Sequence, residues 1–538
     1  MLRSAMADYD ETHRNFRWDL PETFNFGGDV VDRYAEDPDK LALIWCDDGG
    51  TERRFTFADI KRLSNRFANL LAAHGVTKGD RVVVMLPRIP EWQIVMVGCL
   101  KLGAVPIPCI TMLTEKDVAY RVAHSGAVAV VTTRENTGKF DPSAGFRLRL
   151  SVGGGAGPWQ DLDAGMQGQS EDFEPVTMAA EDPAVMYYTS GSTGDPKGVT
   201  HAARGLFAWR VSAWYWLTLT EDDVMWCTAD TGWSKAGTSI LFGPWSCGST
   251  VLFHDGGFDP AERFRLLEKY GVTVFCAAAT EFRRLIQEDP SFADLSALRL
   301  TVSAGETVNP EVVERWRDMT GIALLDGYGL TECLMVVLNY PGMPVKPGSM
   351  GKPLPGTEVL VIDDDNRPVA DGESGRLVVR LPNPQLMIGY WEDPDRTASC
   401  FVDVGGETCF LTGDTVLRDA DGYLFYQGRA DDVINASGYR IGPLEVENAL
   451  IEHPAVQECA AVGSPDAARG EVVKAFVILN DGFAGDDSLV RELQDHVKRV
   501  TAPYKYPRKV AFVAELPKTP TGKIRRRELR DREFAGTG

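Results

Sequence analysis

The sequence contains no run of eighteen apolar residues, and its N-terminus, MLRSAMADYDETHRNFRW, has no apolar core. A membrane-spanning helix and a cleaved secretory signal are therefore not expected, because both need an uninterrupted apolar block. The longest apolar region, Val82 to Ile110, is broken by Arg88, Glu91 and Lys101. Positive charge is also scarce: 56 Lys and Arg stand against 77 Asp and Glu, a net charge of −21. That argues against a nucleic-acid partner, which requires a basic surface. The ten cysteines (46, 99, 109, 227, 247, 276, 333, 400, 409, 459) form no C-x-x-C pair, and several lie in apolar stretches such as Val274-Phe275-Cys276-Ala277. Reduced, buried thiols of a cytoplasmic enzyme fit this pattern better than disulfides or a zinc site. Internal repeats and low-complexity tracts are absent as well.

What is present is an ordinary soluble composition, 44% hydrophobic and 25% charged, in a chain of 538 residues that is too long for one core. Up to residue 430, short β-rich runs alternate with amphipathic segments. Thr56 and Asp59 have the spacing of a capping box and open a helix with Ile60, Leu63, Phe67, Leu70 and Leu71 on one face. A strand over 81–85 and a helix over 91–102 follow. Farther on, the pattern predicts a helix over 260–270, strands over 272–276 and 298–303, a helix over 310–319 and a strand over 322–325. Strand-helix-strand order of this kind implies an α/β fold of parallel, helix-covered sheets, with ligands outside the carboxyl ends of the strands.

Past Gly351 the runs 356–363, 375–380 and 422–426 read as a small β-rich unit. After Gly428-Arg429-Ala430-Asp431 a compact α+β module begins, with helices over 444–452 and 488–500 and strands over 456–462, 472–479 and 510–513. The expected division is a large N-terminal domain, 1–430, that includes the β-rich unit, and a small C-terminal domain, 431–538. From Lys498 to Arg530, eleven Lys and Arg stand against Glu515 and Glu528, so an anionic ligand near the C-terminus is one reading and a solvated basic face another.

The most informative stretch is Thr189 to Gly198, TSGSTGDPKG, directly after the strand-like Ala184 to Tyr188. Gly191, Gly194 and Gly198 permit close backbone approach, Thr189, Ser190, Ser192 and Thr193 offer hydroxyls, and Lys197 supplies a cation. These are the needs of a polyphosphate. It is not a Walker A loop, since Pro196 occupies the place of the second glycine and Gly198 follows the lysine. A flexible connection is the plainer alternative.

Six motifs occur in order: TSGSTGDPKG, YGLTE at Tyr328, TGD at Thr412, GRADD at Gly428, SGYRIGPLEVE at Ser437 and PKTPTGKIRR at Pro517. Together they resemble the adenylate-forming superfamily of acyl-CoA synthetases, adenylation domains and luciferases. TADTGW at Thr228, GRADDVINASGYRIGPLEVENAL at Gly428 and YKYPR at Tyr504 are similar to its AMP-forming, medium-chain acyl-CoA synthetase branch. The resemblance implies a two-step reaction. A carboxylate attacks the α-phosphorus of ATP, giving acyl-adenylate and pyrophosphate, and the thiol of coenzyme A then displaces AMP.

On this resemblance the loop from Thr189 through Asp195, Pro196 and Lys197 holds the β- and γ-phosphates, Glu332 binds Mg2+ and Thr331 touches the α-phosphate. Asp414 and Arg429 meet the ribose. Gly305, Glu306 and Thr307, with Asp326, Gly327, Tyr328, Gly329 and Leu330, line the adenine pocket. Lys523 acts on the transferring phosphoryl and carboxylate oxygens, where a flexible cation suits developing charge. Asp431 matches the family's hinge, about which the C-terminal domain rotates to exchange Lys523 for Ser437-Gly438-Tyr439. Arg440, Arg469, Tyr504, Lys505 and Tyr506 match positions near coenzyme A.

The acyl pocket is expected around Trp233, Ser234, Lys235, Thr238 and Gly329, with Thr111-Met112 and Cys333-Leu334-Met335 as adaptable surface. Acetate-type relatives carry a bulky Trp where this chain has Gly329, which implies a longer, branched or aromatic acid. Lys235 departs from an apolar wall: it points to solvent, pairs with a local acid, shortens the pocket or meets a polar substrate group. A carrier-protein-loading enzyme, a luciferase-like oxidase and a silent nucleotide-binding protein are the competing readings. No nucleic acid and no membrane span are expected, and the chain is a monomer or a homodimer.

Overall fold

The computed structural model describes residues 6–189, 195–306, 308–429, 432, 434–436, 439–466, 470–501, 504–518 and 524–535. They fall into two compact units, one of residues 1–347, 351–358 and 382–399, the other of 348–350, 359–381 and 400–538.

In the first unit, a nine-stranded sheet runs Lys352–Pro353, Leu334–Leu338, Leu324–Leu330, Leu300–Ala304, Val274–Cys276, Val224–Cys227, Thr250–Asp255, Leu41–Asp47, Glu52–Thr56. Its middle is parallel and its edges are antiparallel, as expected from the strand-helix alternation. A second, parallel sheet orders Val105–Pro108, Arg81–Met85, Ala129–Thr133, Leu148–Val152 and Gln160–Asp161. The helix Phe57–Ala73 starts at the predicted capping box, in which Thr56 Oγ1 accepts from the Asp59 amide at 3.1 Å and the Thr56 amide donates back to Asp59 Oδ2 at 3.1 Å. It buries Ile60, Phe67, Leu70 and Leu71 against Pro90–Leu102, a helix with every residue buried. The two helices meet at Gly98, where an added Cβ would lie 2.8 Å from Ser64 O. Lys101 is drawn inside this packing, with its ammonium 2.6 Å from both Asp32 and Asn65; burial lowers its pKa to about 8 against the pull of Asp32.

The strand Pro183–Thr189, read from its apolar run, belongs to a separate antiparallel sheet with Lys197–Ala202 and Gly389–Tyr390. The reason is length. Thr189 pairs with Lys197, and the seven residues between them are too few for the crossover of a dozen or more that a parallel return needs.

The second unit holds an antiparallel sheet of Val359–Ile362, Ser374–Arg380, Glu407–Arg418, Phe401–Val404 and Leu424–Arg429. It also holds the helices Pro443–Ile451 and Asp487–Val500 with the sheet Val456–Asp466, Gly470–Leu479, Lys509–Phe512. The β-rich segment therefore groups with the C-terminal module, and the break between compact units does not fall at 430/431. Contacts explain the grouping: Gln427 Nε2 donates to Glu445 at 3.1 Å, and an added Cβ at Gly442 would sit 2.3 Å from Gln427 O. None of the ten cysteines is in a disulfide, and nine are buried. Among the described residues no helix is long and apolar enough to cross a membrane.

Candidate active site

In the first unit, three segments far apart in sequence converge on the Thr331-Glu332 pair. Leu330 pairs with Leu334, so Thr331, Glu332 and Cys333 form the tip of a tight hairpin. Leu334 closes it at φ 57°, a conformation that costs a non-glycine residue about 1–2 kcal/mol and is sustained by burial of its side chain. Tyr390 OH donates to Glu332 Oε1 at 2.9 Å, and the Lys197 ammonium lies 4.8 Å from the centre of the same tyrosine ring. His201, on the strand that Lys197 begins, has Nε2 2.6 Å from Thr331 O. Burial lowers the His201 pKa to about 4, so its ring is neutral near pH 7 and Nε2–H donates to that carbonyl. Ser234 Oγ is 3.1 Å from Thr331 Oγ1. Among the described residues the site thus gathers the Lys197 cation, the Glu332 carboxylate and the hydroxyls of Thr331, Ser234 and Tyr390. Ser190, Gly191, Ser192, Thr193 and Gly194 lie outside the described residues; Thr189 and Asp195 flank them, and Pro196 O accepts from Tyr120 OH at 3.0 Å.

The expected adenine-side residues sit at the carboxyl ends of neighbouring parallel strands. Ala304 pairs with Gly327, and Gly305 follows at φ +93°. Asp326 is buried and accepts from the Gly327 amide at 2.9 Å and the Val308 amide at 3.4 Å. Burial raises its pKa to about 7, against those two donors and Lys235. Asn339 anchors the strand from below, its amide and side-chain nitrogen both donating to Asp326 O at 3.1 and 3.0 Å. Tyr328 is half-buried, and Thr307 lies outside the described residues.

Along the acyl wall, Trp233 caps the short helix Ser234–Ala236, and Gly232 before it packs so closely that a Cβ would meet Ile110 N at 2.3 Å. Thr238 is buried, with its hydroxyl accepting from Trp209 Nε1 at 2.7 Å. The Lys235 ammonium donates to Ala304 O at 3.0 Å and, more weakly, to Ala277 O at 3.5 Å. A Cβ at Gly329 would lie 2.0 Å from Leu334 O, so the hairpin as it stands in this chain has no room for a side chain there. Met112 is 67% exposed, whereas Cys333 and Met335 are buried.

In the second unit, Asp414 is buried, faces Arg429 across two paired strands, and meets its guanidinium at 3.2 Å and Tyr426 OH at 3.4 Å. Gly413, at φ +77°, leaves the space that the Arg429 side chain occupies.

A family model described as AMP-binding enzyme matches residues 31–391, and one described as AMP-binding enzyme C-terminal domain matches 445–523. The chain belongs to the AMP-binding enzyme family. "Acyl-coenzyme A synthetase ACSM3, mitochondrial" of Mus musculus is 42% identical over 99% of this chain and 94% of the relative. The Homo sapiens "Acyl-coenzyme A synthetase ACSM4, mitochondrial" is 41% identical over the same shares. Among solved structures, the anthranilate CoA ligase AuaEII in complex with anthranoyl-AMP superposes with a TM-score of 0.87 at 30% identity, covering 97% of this chain and 99% of that one. A Brucella canis acyl-CoA synthetase gives 0.73 at 36% identity, over 98% and 99%.

Of the coenzyme A positions that family resemblance implies, Tyr439 and Arg440 lie on the strand Tyr439–Ile441, and Tyr504 is 40% exposed. Lys505 is ion-paired with Glu445, and the Tyr506 hydroxyl accepts from Arg508 at 2.7 Å. Asp431, Ser437, Gly438, Arg469 and Lys523 lie outside the described residues. Six of the eleven Lys and Arg of the basic tail, Lys498, Lys505, Lys518, Arg525, Arg526 and Arg527, each meet a carboxylate within their own unit. Composition counted the charges but not these partners, so the local excess is a weak argument for an anionic ligand. Sequence reasoning also missed His201 and Tyr390. The sequence marks neither as polar-site material: His201 lies three residues past the glycine-rich motif, in no motif of its own, and Tyr390 stands in an aromatic pair with Trp391.

Proposed function

We propose that this protein is an AMP-forming acyl-CoA synthetase that activates a medium-chain, branched or aromatic carboxylic acid. The reading is carried by the convergence of Lys197, Tyr390, Glu332 and Thr331 in a chain of the AMP-binding enzyme family. In the first step the acid's carboxylate oxygen forms a bond to the α-phosphorus while the bond to pyrophosphate breaks. An anion attacks a polyanion, so the protein supplies positioning and charge compensation rather than a nucleophile. Lys197 meets phosphate charge, and the Thr331 hydroxyl, steadied by Ser234 and by His201 at its carbonyl, is held for the α-phosphate. Asp414 accepts from the ribose hydroxyls, with Arg429 fixing its carboxylate.

Among the described residues no cluster of three or more acidic, histidine or cysteine ligands forms a metal cage. One oriented carboxylate suits Mg2+ nonetheless, since that ion keeps water and substrate phosphates as most of its ligands. Glu332, held by Tyr390, would carry it, and the ion would offset charge on the phosphates. In the second step the coenzyme A sulfur forms a bond to the acyl carbon and the bond to AMP breaks, with Gly438 leaving room for a narrow passage and Lys523 serving the first step only. Domain rotation about Asp431 between the steps is part of the proposal.

The aromatic option is supported by two solved neighbours, an anthranilate and a benzoate CoA ligase; the latter, from Burkholderia xenovorans LB400, has a TM-score of 0.82 at 29% identity over 94% of this chain and 100% of that one. Ten cysteines with no disulfide among them favour a reducing compartment such as the cytoplasm, while the curated relatives carry "mitochondrial" in their names. Exchange of radiolabelled pyrophosphate into ATP tests the first step: acid-dependent exchange supports it, and exchange that no acid stimulates contradicts it.

A further inference from the structure

Lys235 stands where a substrate's acyl chain is expected, yet its ammonium is turned to backbone. Ala304 O, 3.0 Å away, ends the strand Leu300–Ala304; Ala277 O, 3.5 Å away, follows the neighbouring strand Val274–Cys276. These strands are parallel and adjacent, with Cys276 opposite Val302. A cation shared by these two carbonyls fastens one strand end to the other. The residue after Ala304 is Gly305, exposed and at φ +93°, which only glycine adopts without strain. Glu306 comes next, and one of its carboxylate oxygens is buried without a hydrogen-bond partner. Burial works against the charge on Lys235, but Cys276, Cys227, Glu281 and Glu306 outweigh it and hold the ammonium above its ordinary pKa. The ammonium already has two backbone acceptors inside the protein, so its geometry does not call for an anionic group on the acid. The same three-residue helix, Ser234–Ala236, touches the catalytic turn through Ser234 and Thr331.

We propose that Lys235 is a positioning residue for the nucleotide: it braces Ala304-Gly305-Glu306 on the adenine side and does not read the acyl chain. The inference rests on the adenylation reading above, in which this segment faces adenine. It resolves an otherwise odd choice, a lysine in an acyl wall, by giving its charge a use at the far end of the side chain while the apolar stem lines the wall.

The test uses the full chain with Lys235→Met, which keeps the stem and removes the donors, and Lys235→Arg, which keeps a donor. Three quantities are compared with the parent: ATP affinity by calorimetry without acid, the ratio of kcat/KM for ATP to that for GTP, and the order of kcat/KM across C2 to C10 linear, branched and aromatic acids. A charged hydrogen bond lost to buried carbonyls should weaken ATP binding by roughly tenfold or more. Lys235→Met is expected to do so and to narrow the ATP:GTP ratio while leaving the order of acids unchanged; Lys235→Arg should recover part of the ATP affinity. Unchanged ATP affinity and base preference with a reordered acid profile would overturn the proposal and make Lys235 an acyl-recognition residue. Unchanged values throughout would overturn it too. A parent protein that binds ATP but shows no acid-dependent turnover would sink the adenylation reading alone, because the calorimetric arm needs no acid.

Discussion

Removing the Glu447 carboxylate should loosen the C-terminal module more than any surface ion pair could. Glu447 is buried on the helix Pro443–Ile451 and accepts three hydrogen bonds, from Arg526 Nε at 2.9 Å, Arg526 Nη2 at 2.6 Å and the Ala461 amide at 2.7 Å. The two guanidinium bonds form a fork, the strongest geometry available to an arginine and a carboxylate. Burial disfavours the charge on Arg526, but Glu447 outweighs it and holds the guanidinium firmly protonated. Glu447→Ala strands that charge with 22% exposure and leaves the Ala461 amide without its acceptor. Breaking one side of such a pair costs about 3–5 kcal/mol, against about 0–1 kcal/mol for an exposed pair. Native-state amide hydrogen exchange in the strand Val456–Asp466 reads this locally, which matters because a chain of two units need not unfold in one step. Exchange protection should fall by that amount in Glu447→Ala, while Glu447→Leu with Arg526→Leu together should recover most of it. Arg526 begins the last helix three residues after Lys523, so adenylation should slow as well. A loss below about 1 kcal/mol would refute the reasoning, because the fork would then be energetically a surface contact.

Of the other predictions, those at Lys523 and Gly438 rest on the family resemblance and those at Tyr390 and Asp326 on their contacts. Lys523→Ala should abolish adenylate formation but spare thioester formation from supplied acyl-adenylate, and Gly438→Leu should do the reverse; equal loss of both steps in either variant contradicts the assignment. Tyr390→Phe removes the donor to Glu332 and should cut turnover roughly tenfold while raising the Mg2+ concentration needed for half-maximal rate, as expected for one charge-assisted hydrogen bond. An unaltered Mg2+ dependence would detach Glu332 from the ion. Asp326, raised to about 7 by burial, has its folded pKa above the unfolded value of about 3.9, so its contribution to stability is complete below pH 4 and declines as pH rises to 7, by at most about 4 kcal/mol. Asp326→Asn should flatten that part of the profile in urea titrations between pH 4 and 7; identical slopes would show that the carboxyl ionises at its ordinary pKa.

The sequence carried most local structure, because caps and periodicity act over a few residues. The Thr56–Asp59 box, the strand Arg81–Met85 and the amphipathic face through Leu71 appear where the pattern put them. Long-range facts were less legible. The run before the glycine-rich loop reads as a strand but without a partner, since strand composition does not encode one; its antiparallel pairing with Lys197–Ala202 appears only in the fold. Glu332 alone reads as a helix start, and only the pairing of Leu330 with Leu334 makes it the tip of a turn. His201 and Tyr390 reach Thr331 and Glu332 across sequence gaps of 130 and 58 residues, which no local motif spans. At Gly329 the sequence shows a missing side chain but not that its Cβ direction is filled by the Leu334 carbonyl. The charges of the tail, finally, were counted without the carboxylates opposite them.

The central claim is that one polypeptide makes both an acyl-adenylate and a thioester. Its most direct test is the product balance with ATP, coenzyme A and a panel of C2 to C10 linear, branched and aromatic acids, resolved by chromatography and mass spectrometry. The account predicts AMP, pyrophosphate and acyl-CoA in equal amounts for at least one medium-chain, branched or aromatic acid. ADP and phosphate in place of AMP, or AMP accumulating with no thioester for any acid, would contradict it.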